Sequence, residues 1–276
     1  MHEQLGKCTF QISPGAFFQV NTPGAEMLYK LVVDKVREVS PNPEDTLLFD
    51  VCCGTGTIGL TCMKEGAVGS VIGVDISAPA IEDAIVNAKL NGFGPSEDGK
   101  QKTRFIAARA EQVLHQEIIK AKKTNPNQKF VAVVDPAREG LHADVVRALR
   151  ANERIGRIVY VSCNPTATLV RDAGLLCGPP TKRYSGEAFR VVSSSPVDMF
   201  PLTNHCEMVM TFDRLSVNVG TETESKTEDA TQTEVKKQEA TVKTVDATQT
   251  EVKKGEGMAE VEVADVPVTE AKAEAS

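Results

Sequence analysis

Two stretches of this chain combine side chains that can do chemistry. In Ile158-Val159-Tyr160-Val161-Ser162-Cys163-Asn164-Pro165 an apolar run delivers a cysteine onto a polar turn. A thiol so placed can act as a nucleophile if a base and a cleft accompany it, although buried cysteines are more often inert small hydrophobes. In Asp50-Val51-Cys52-Cys53-Gly54-Thr55-Gly56-Thr57 an apolar run ends in a glycine turn ahead of a helical pattern. With no Cβ in the way, such a turn lets the backbone close on a nucleotide. Asp75 ends a further apolar run, where a carboxylate can accept both hydroxyls of a ribose, and Asp135 ends another, in the crevice where open sheets bind ligands.

Other residues compete with plainer roles. Glu207, in Asn204-His205-Cys206-Glu207-Met208, stands at the mouth of an apolar strand. It is a candidate base, yet taken alone it reads as a solvated strand-edge carboxylate. His205 reads as a loop residue, and Cys52, Cys53, Cys62, Cys177 and Cys206, without a polar turn like that at Cys163, read as packing. Gly59 falls at the third position of Gly-x-Gly-x-x-Gly, which keeps a dinucleotide dehydrogenase open. Against it, Asp50 has no use beside a pyrophosphate, whereas an acid there suits the ammonium and sulfonium of S-adenosylmethionine. That cofactor is favoured.

These residues need a scaffold that gathers strand ends. Short apolar runs alternate with helix-length segments: strands are expected at 47–51, 71–75, 104–107, 130–135 and 158–161, and helices at 25–39, 58–64, 78–90 and 143–151. Asn91-Gly92 stops the third helix. Runs at 189–192 with 198–200, then at 206–213, read as a closing pair. The alternation predicts a doubly wound α/β sheet with its ligand crevice beyond the strand ends.

Beyond residue 215 the composition changes. Residues 216–276 lack aromatic side chains and hold 7 Lys against 14 Asp and Glu, which accounts for the whole net charge of −7 and leaves 24 basic and 24 acidic residues in 1–215. So little apolar surface cannot offset an ordering cost of roughly 1–2 kcal/mol per residue. A disordered acidic tail is therefore expected over 216–276, after a folded domain at 1–215. The neutral balance of the domain argues against broad, non-specific nucleic-acid affinity. Seven cysteines, an odd set without a Cys-x-x-Cys pair, imply neither a disulfide framework nor a zinc site. With no signal-like or span-length apolar segment, the cytosol or nucleus is expected.

Six stretches in order resemble the RNA uracil-C5 methyltransferase family, and within it the eukaryotic homolog A branch. They are residues 13–22, which contain Phe17-Phe18-Gln19-Val20-Asn21, and residues 50–59, 71–75, 134–142, 161–165 and 203–207. The resemblance implies a doubly wound, Rossmann-like methyltransferase fold and S-adenosylmethionine as cofactor. It implies formation of 5-methyluridine in RNA, at the T-loop uridine of cytosolic tRNA, with rRNA or mitochondrial tRNA as alternative substrates. Uracil C5 is too weak a nucleophile until a thiolate adds at C6, and a base must then take the C5 proton so that the thiol can leave. By that likeness Cys163 is the nucleophile and Glu207 the proton acceptor, while Gln19, Cys52, Gly54, Thr57, Asp75 and Asp135 hold the cofactor. The family's Asp-Pro-Pro-Arg is Asp135-Pro136-Ala137-Arg138 here, where Ala137 relaxes a rigid turn. Cys52 takes a place that is often aromatic, and Thr57 one that is often Asn. Structured-looking sequence begins almost at once, so the family's upstream RNA-binding portion is expected to be missing.

Within the tail, Asp229-Ala230-Thr231-Gln232-Thr233-Glu234-Val235-Lys236-Lys237 recurs at 246–254, seventeen residues on. Thr231-Gln232-Thr233 and Thr248-Gln249-Thr250 resemble the strand-forming peptides that dynein light chain adds to its sheet edge, and two copies permit bivalent capture of that dimer. This leaves a second role open for the chain, a non-catalytic interaction protein that carries its tail to a dimeric partner.

Overall fold

The computed structural model of the chain describes residues 1–95 and 101–216, so the expected tail beyond Ser216 and its repeat lie outside the described residues. The first half runs β1 (His2–Leu5), β2 (Cys8–Gln11), α1 (Thr22–Arg37), β3 (Thr46–Val51), α2 (Thr57–Lys64), β4 (Ser70–Asp75), α3 (Ala78–Leu90) and β5 (Thr103–Ala107). It continues with α4 (Ala110–Thr124), β6 (Lys129–Val134), α5 (Ala143–Ala151), β7 (Ile155–Ser162), α6 (Thr168–Cys177), β8 (Phe189–Val197) and β9 (Glu207–Arg214). Strands β1 and β2 form a hairpin, and the other seven form one sheet in the order β5-β4-β3-β6-β7-β9-β8. The first five of that order are parallel, while β9 runs antiparallel to both its neighbours.

Alternating side chains explain the layers. Leu48, Val131, Val133, Val159 and Val161 enter one core with α1, α2, the end of α3 and the hairpin. Phe49, Val51, Ala132, Val134, Ile158 and Tyr160 enter the other with α4, α5 and α6. Strands that are apolar on both faces need helices on both faces, and the doubly wound fold provides them.

Local signals set the helix ends. Asn21 Oδ1 accepts the Gly24 amide at 3.1 Å and Pro23 sits in the first turn, so α1 starts three residues before the expected 25. Ser77 caps α3, which spans the expected 78–90 and ends where Gly92 takes φ +86°. The closing pair forms as β8 against β9, antiparallel, but β8 is continuous over Phe189–Val197 and the run at 198–200 lies outside it, because the chain leaves the sheet at Asp198. The sequence pattern predicts neither the hairpin nor α4; of α4 only Leu114, Glu117, Ile118 and Ala121 are buried, too narrow a stripe to stand out.

Strand β9 is pinned beside β7 by a buried ion pair. Arg157 Nε and Nη2 donate to the two carboxylate oxygens of Asp213 at 2.6 and 2.9 Å, and Nη1 donates to Glu38 Oε2 at 2.7 Å. Among the described residues, no helix is long and apolar enough to cross a membrane.

Candidate active site

The sheet grows one way through β3, β4 and β5 and the other way through β6 and β7, so its order reverses between β3 and β6. Ligands bind beyond the strand ends at such a reversal. The turn after β3 is shaped for it. Cys52, Gly54 and Gly56 all have left-handed backbone, at φ +65°, +52° and +79°. For Cys52, a non-glycine, this conformation costs about 1–2 kcal/mol. The Cys52 and Cys53 amides both donate to the Val74 carbonyl, at 2.9 and 3.1 Å, tying the turn to the end of β4.

Asp75 ends β4, where its Oδ2 accepts the Gly54 amide and its Oδ1 the Ser77 amide, each at 2.8 Å. Both oxygens keep a lone pair for the hydroxyls of a ribose. Asp50 lies wholly buried beneath the turn, its Oδ2 accepting the Gly59 amide at 2.9 Å and its Oδ1 without a partner. A Cβ on Gly59 would lie 2.8 Å from both Asp50 Oδ2 and Val71 Cγ1. Gly59 thus serves close packing of α2 on β3 and β4 rather than a pyrophosphate.

Electrostatics separate the two cofactor classes. Burial, with the Asp75 charge adding and the Gly59 hydrogen bond opposing, raises the Asp50 carboxyl to about 7. Burial first, then Glu207, Asp50 and Asp75, holds the Asp135 carboxyl well above the usual range. Burial and mutual repulsion leave no room here for the further negative charge of a pyrophosphate, whereas a cation beside these acids favours their ionised form. The unpartnered Oδ1 of Asp50 adds an acceptor that a cationic donor would satisfy. The residues present therefore fit a nucleoside carrying positive charge, and the dehydrogenase alternative loses its basis.

On the other side of the reversal, the β7–β9 register runs to Ser162 opposite Met208. Cys163 follows the last residue of β7 and Glu207 is the first of β9, so the two strand ends bring them close enough for the Glu207 charge to act on the thiol. Glu207 is 4% exposed and its Oε2 has no partner, so it is not the solvated strand-edge acid its surroundings in sequence indicate. Burial raises its carboxyl, with Arg138 opposing. Cys163 is half-buried; burial and then the Glu207 charge raise its thiol, while Arg138 lowers it. Cys52 differs: burial, then Asp75, Asp135 and Asp50, push its thiol to about 12, with no cation to oppose them. It is a packing thiol on the cofactor turn and no nucleophile.

The loops behind these groups are stitched together. The Arg138 carbonyl accepts from Asn164 Nδ2 and Thr168 Oγ1, both at 3.2 Å. Asp172 Oδ2 accepts the Leu141 amide at 2.7 Å and the Tyr160 hydroxyl at 2.8 Å. Ala137 therefore does not leave the 135–142 turn loose.

Sequence reasoning missed three members of this neighbourhood. Arg138, exposed beside Cys163 and Glu207, carried a usable signal, being three residues past a strand-end acid. Tyr29, from α1, shares a hydrogen bond with Thr57 Oγ1 at 3.4 Å, and burial first, then Asp135, Asp50 and Glu207, raises its phenol. Asp172 had no signal beyond its type. Gln19 lies buried between β2 and α1 and lines a cavity of about 530 Å³ with Ser13, Ala16 and Phe18. Among the described residues, no hydrogen bond joins it to the strand-end acids.

The family model "tRNA (Uracil-5-)-methyltransferase" matches residues 5–214. This chain belongs to the tRNA (uracil-5-)-methyltransferase family. Within that family it is 41% identical over 221 residues to human tRNA (uracil-5-)-methyltransferase homolog A, covering 80% of this chain and 32% of that protein. Human homolog B is 41% identical over 214 residues, covering 77% and 39%. The chain thus spans about a third of the length of the homolog A proteins it matches. Among solved structures, the SAM-dependent methyltransferase from Agrobacterium tumefaciens superposes with a TM-score of 0.51 at 15% identity, over 78% of this chain and 70% of that one. That likeness shows the Rossmann-like methyltransferase fold of this member of the tRNA (uracil-5-)-methyltransferase family.

Proposed function

We propose that this domain methylates uridine at C5 in RNA through a covalent adduct of Cys163, with the T-loop uridine of cytosolic tRNA as its target. The observation that carries the reading is the closeness of Cys163, just past β7, to Glu207, buried with an unpartnered Oε2 at the start of β9 and near the strand-end acid Asp135. Asp75 holds the ribose, the Gly54 turn admits the nucleoside, and Gln19, Cys52, Thr57 and Asp135 complete the cofactor's surroundings. S-adenosylmethionine, when bound, supplies an electrophilic methyl group and leaves as a thioether.

The Cys163 thiolate adds to C6, and the C5–C6 π electrons move to C5 as an enolate. C5 then forms its bond to the methyl group. Glu207 takes the C5 proton, the double bond re-forms, and the S–C6 bond breaks with its electrons returning to sulfur. A carboxyl raised by burial is the better base for this step. Arg138 favours the thiolate before attack.

Incubation of the full chain with 5-fluorouridine-substituted tRNA and S-adenosylmethionine tests the reading. Fluorine cannot leave C5 as a proton, so a denaturation-resistant protein–RNA adduct is expected, lost in Cys163→Ala. Without an adduct the proposal fails; parallel arms with rRNA and mitochondrial tRNA report the substrate.

The tail repeat supports a second reading, bivalent capture of dynein light chain through Thr231-Gln232-Thr233 and Thr248-Gln249-Thr250. Calorimetry with a peptide spanning 228–254 tests it, and no heat at tens of micromolar ends it. Seven free thiols accord with the cytosol or nucleus as the place of action.

A further inference from the structure

The side of α3 that faces the hairpin is buried but polar. Asp83, Asn87 and Asn91 are 1%, 0% and 6% exposed and lie four residues apart on that helix and its C-cap. They meet Ser13, Gln11 and Thr9 in turn. Asn91 Oδ1 accepts the Thr9 amide at 3.0 Å and its Nδ2 donates to the Thr9 carbonyl at 2.8 Å. Asn87 repeats the pattern on Gln11, accepting from its amide at 2.6 Å and donating to its carbonyl at 3.1 Å. Asp83 closes the series by accepting the Ser13 amide at 2.7 Å, the Ser13 hydroxyl at 2.8 Å and Gln11 Nε2 at 3.1 Å.

Each carboxamide makes the two bonds that a neighbouring strand would exchange with one residue. The spacing allows it, because four helical residues advance about 6 Å and two strand residues about 6.8 Å. Helix α3 therefore acts as the missing strand on the open edge of β2. The middle rung does something the outer two do not. Asn87 Nδ2 also donates to the Thr55 carbonyl at 3.0 Å, in the turn between Gly54 and Gly56. One buried amide thus holds both the cofactor turn and the strand that leads to Gln19.

We infer that Asn87 is a positioning residue for the cofactor, setting the Thr55 peptide against the 9–13 strand so that the Gly54 turn is preformed for its ligand. This rests on the cofactor reading above. Asn91 is the matched control: it makes the same bonds to β2 and none to the turn. The full chain and its Asn87→Ala and Asn91→Ala variants are titrated calorimetrically with S-adenosylhomocysteine, and their melting temperatures are measured. Both variants are expected to melt at lower temperature. Asn87→Ala is expected to bind about tenfold more weakly, the size of one buried hydrogen bond, and Asn91→Ala within about twofold of the parent. Equal weakening in both variants, or none in either, overturns the inference while leaving the cofactor reading intact. No heat with the parent chain removes the cofactor reading and this inference with it. Should Asn87→Ala not fold, Asn87→Leu, close in size and with no donor for Thr55, carries the same expectation.

Discussion

Replacing Asp50 by asparagine should make the ligand-free domain more stable at neutral pH, and the gain should grow with pH. The Asp50 carboxyl is raised to about 7 in the folded chain, against about 3.9 in an unfolded one. A raised acid contributes stability that is fully present below the unfolded value and is lost as pH climbs through the folded one. Between pH 5 and pH 8 the folded carboxyl must release a proton that the unfolded chain has already lost over about two pH units. At about 1.4 kcal/mol per unit, the parent loses about 2–3 kcal/mol through this group. The carboxamide of the Asp50→Asn variant retains an acceptor for the Gly59 amide and does not titrate. The chain has no tryptophan, so urea unfolding of both proteins is followed by far-ultraviolet circular dichroism at pH 5, 6, 7 and 8. The variant's stability relative to the parent should rise by about 2–3 kcal/mol across that range. Glu207, raised in the same direction without help from Asp50, lowers both curves and cancels in the difference, whereas Asp135 is raised in part by Asp50, so its relief in the variant adds to the rise. A difference that is flat with pH would refute the assignment of a raised, partnerless carboxyl beneath the cofactor turn.

Three further outcomes follow from the same geometry. Glu207→Gln should accumulate a covalent complex with methylated substrate RNA on denaturing gels, because the C5 proton then has no acceptor; free turnover by this variant would remove Glu207 from the proposed chemistry. Arg138→Ala should move the pH profile of Cys163 alkylation by iodoacetamide to higher pH, since Arg138 opposes the rise caused by burial and Glu207, and an unmoved profile would separate Arg138 from the thiol. Asp213→Ala strands the buried Arg157 guanidinium with Glu38 as its remaining carboxylate; a loss of about 3–5 kcal/mol is expected from the urea midpoint at unchanged slope.

Much of the fold was legible because its signals are local. Strands β3, β4, β6 and β7 are short runs apolar on both faces, and Ser77 with Asn91-Gly92 brackets α3 by capping chemistry alone. The cofactor turn announced itself because close backbone approach needs glycine, and only glycine writes that need into the residue type. Where the signal is weak, the reading went astray: α4 buries a narrow stripe, and β8 continues through Ser193-Ser194-Ser195-Pro196, whose residues discourage a strand assignment.

By themselves the residues established the class of fold and singled out the glycine turn after β3 and Cys163 as candidates. Only the tertiary structure decided that Glu207 is buried near Cys163, that Asp50 is buried with an oxygen to spare, and that the Arg138 charge acts on the thiol. Type and spacing along a chain record what each segment prefers locally. Desolvation and the meeting of charges from β3, β4, β6, β7 and β9 depend on how those strands are ordered across the sheet, and that order is set by packing between residues distant in sequence.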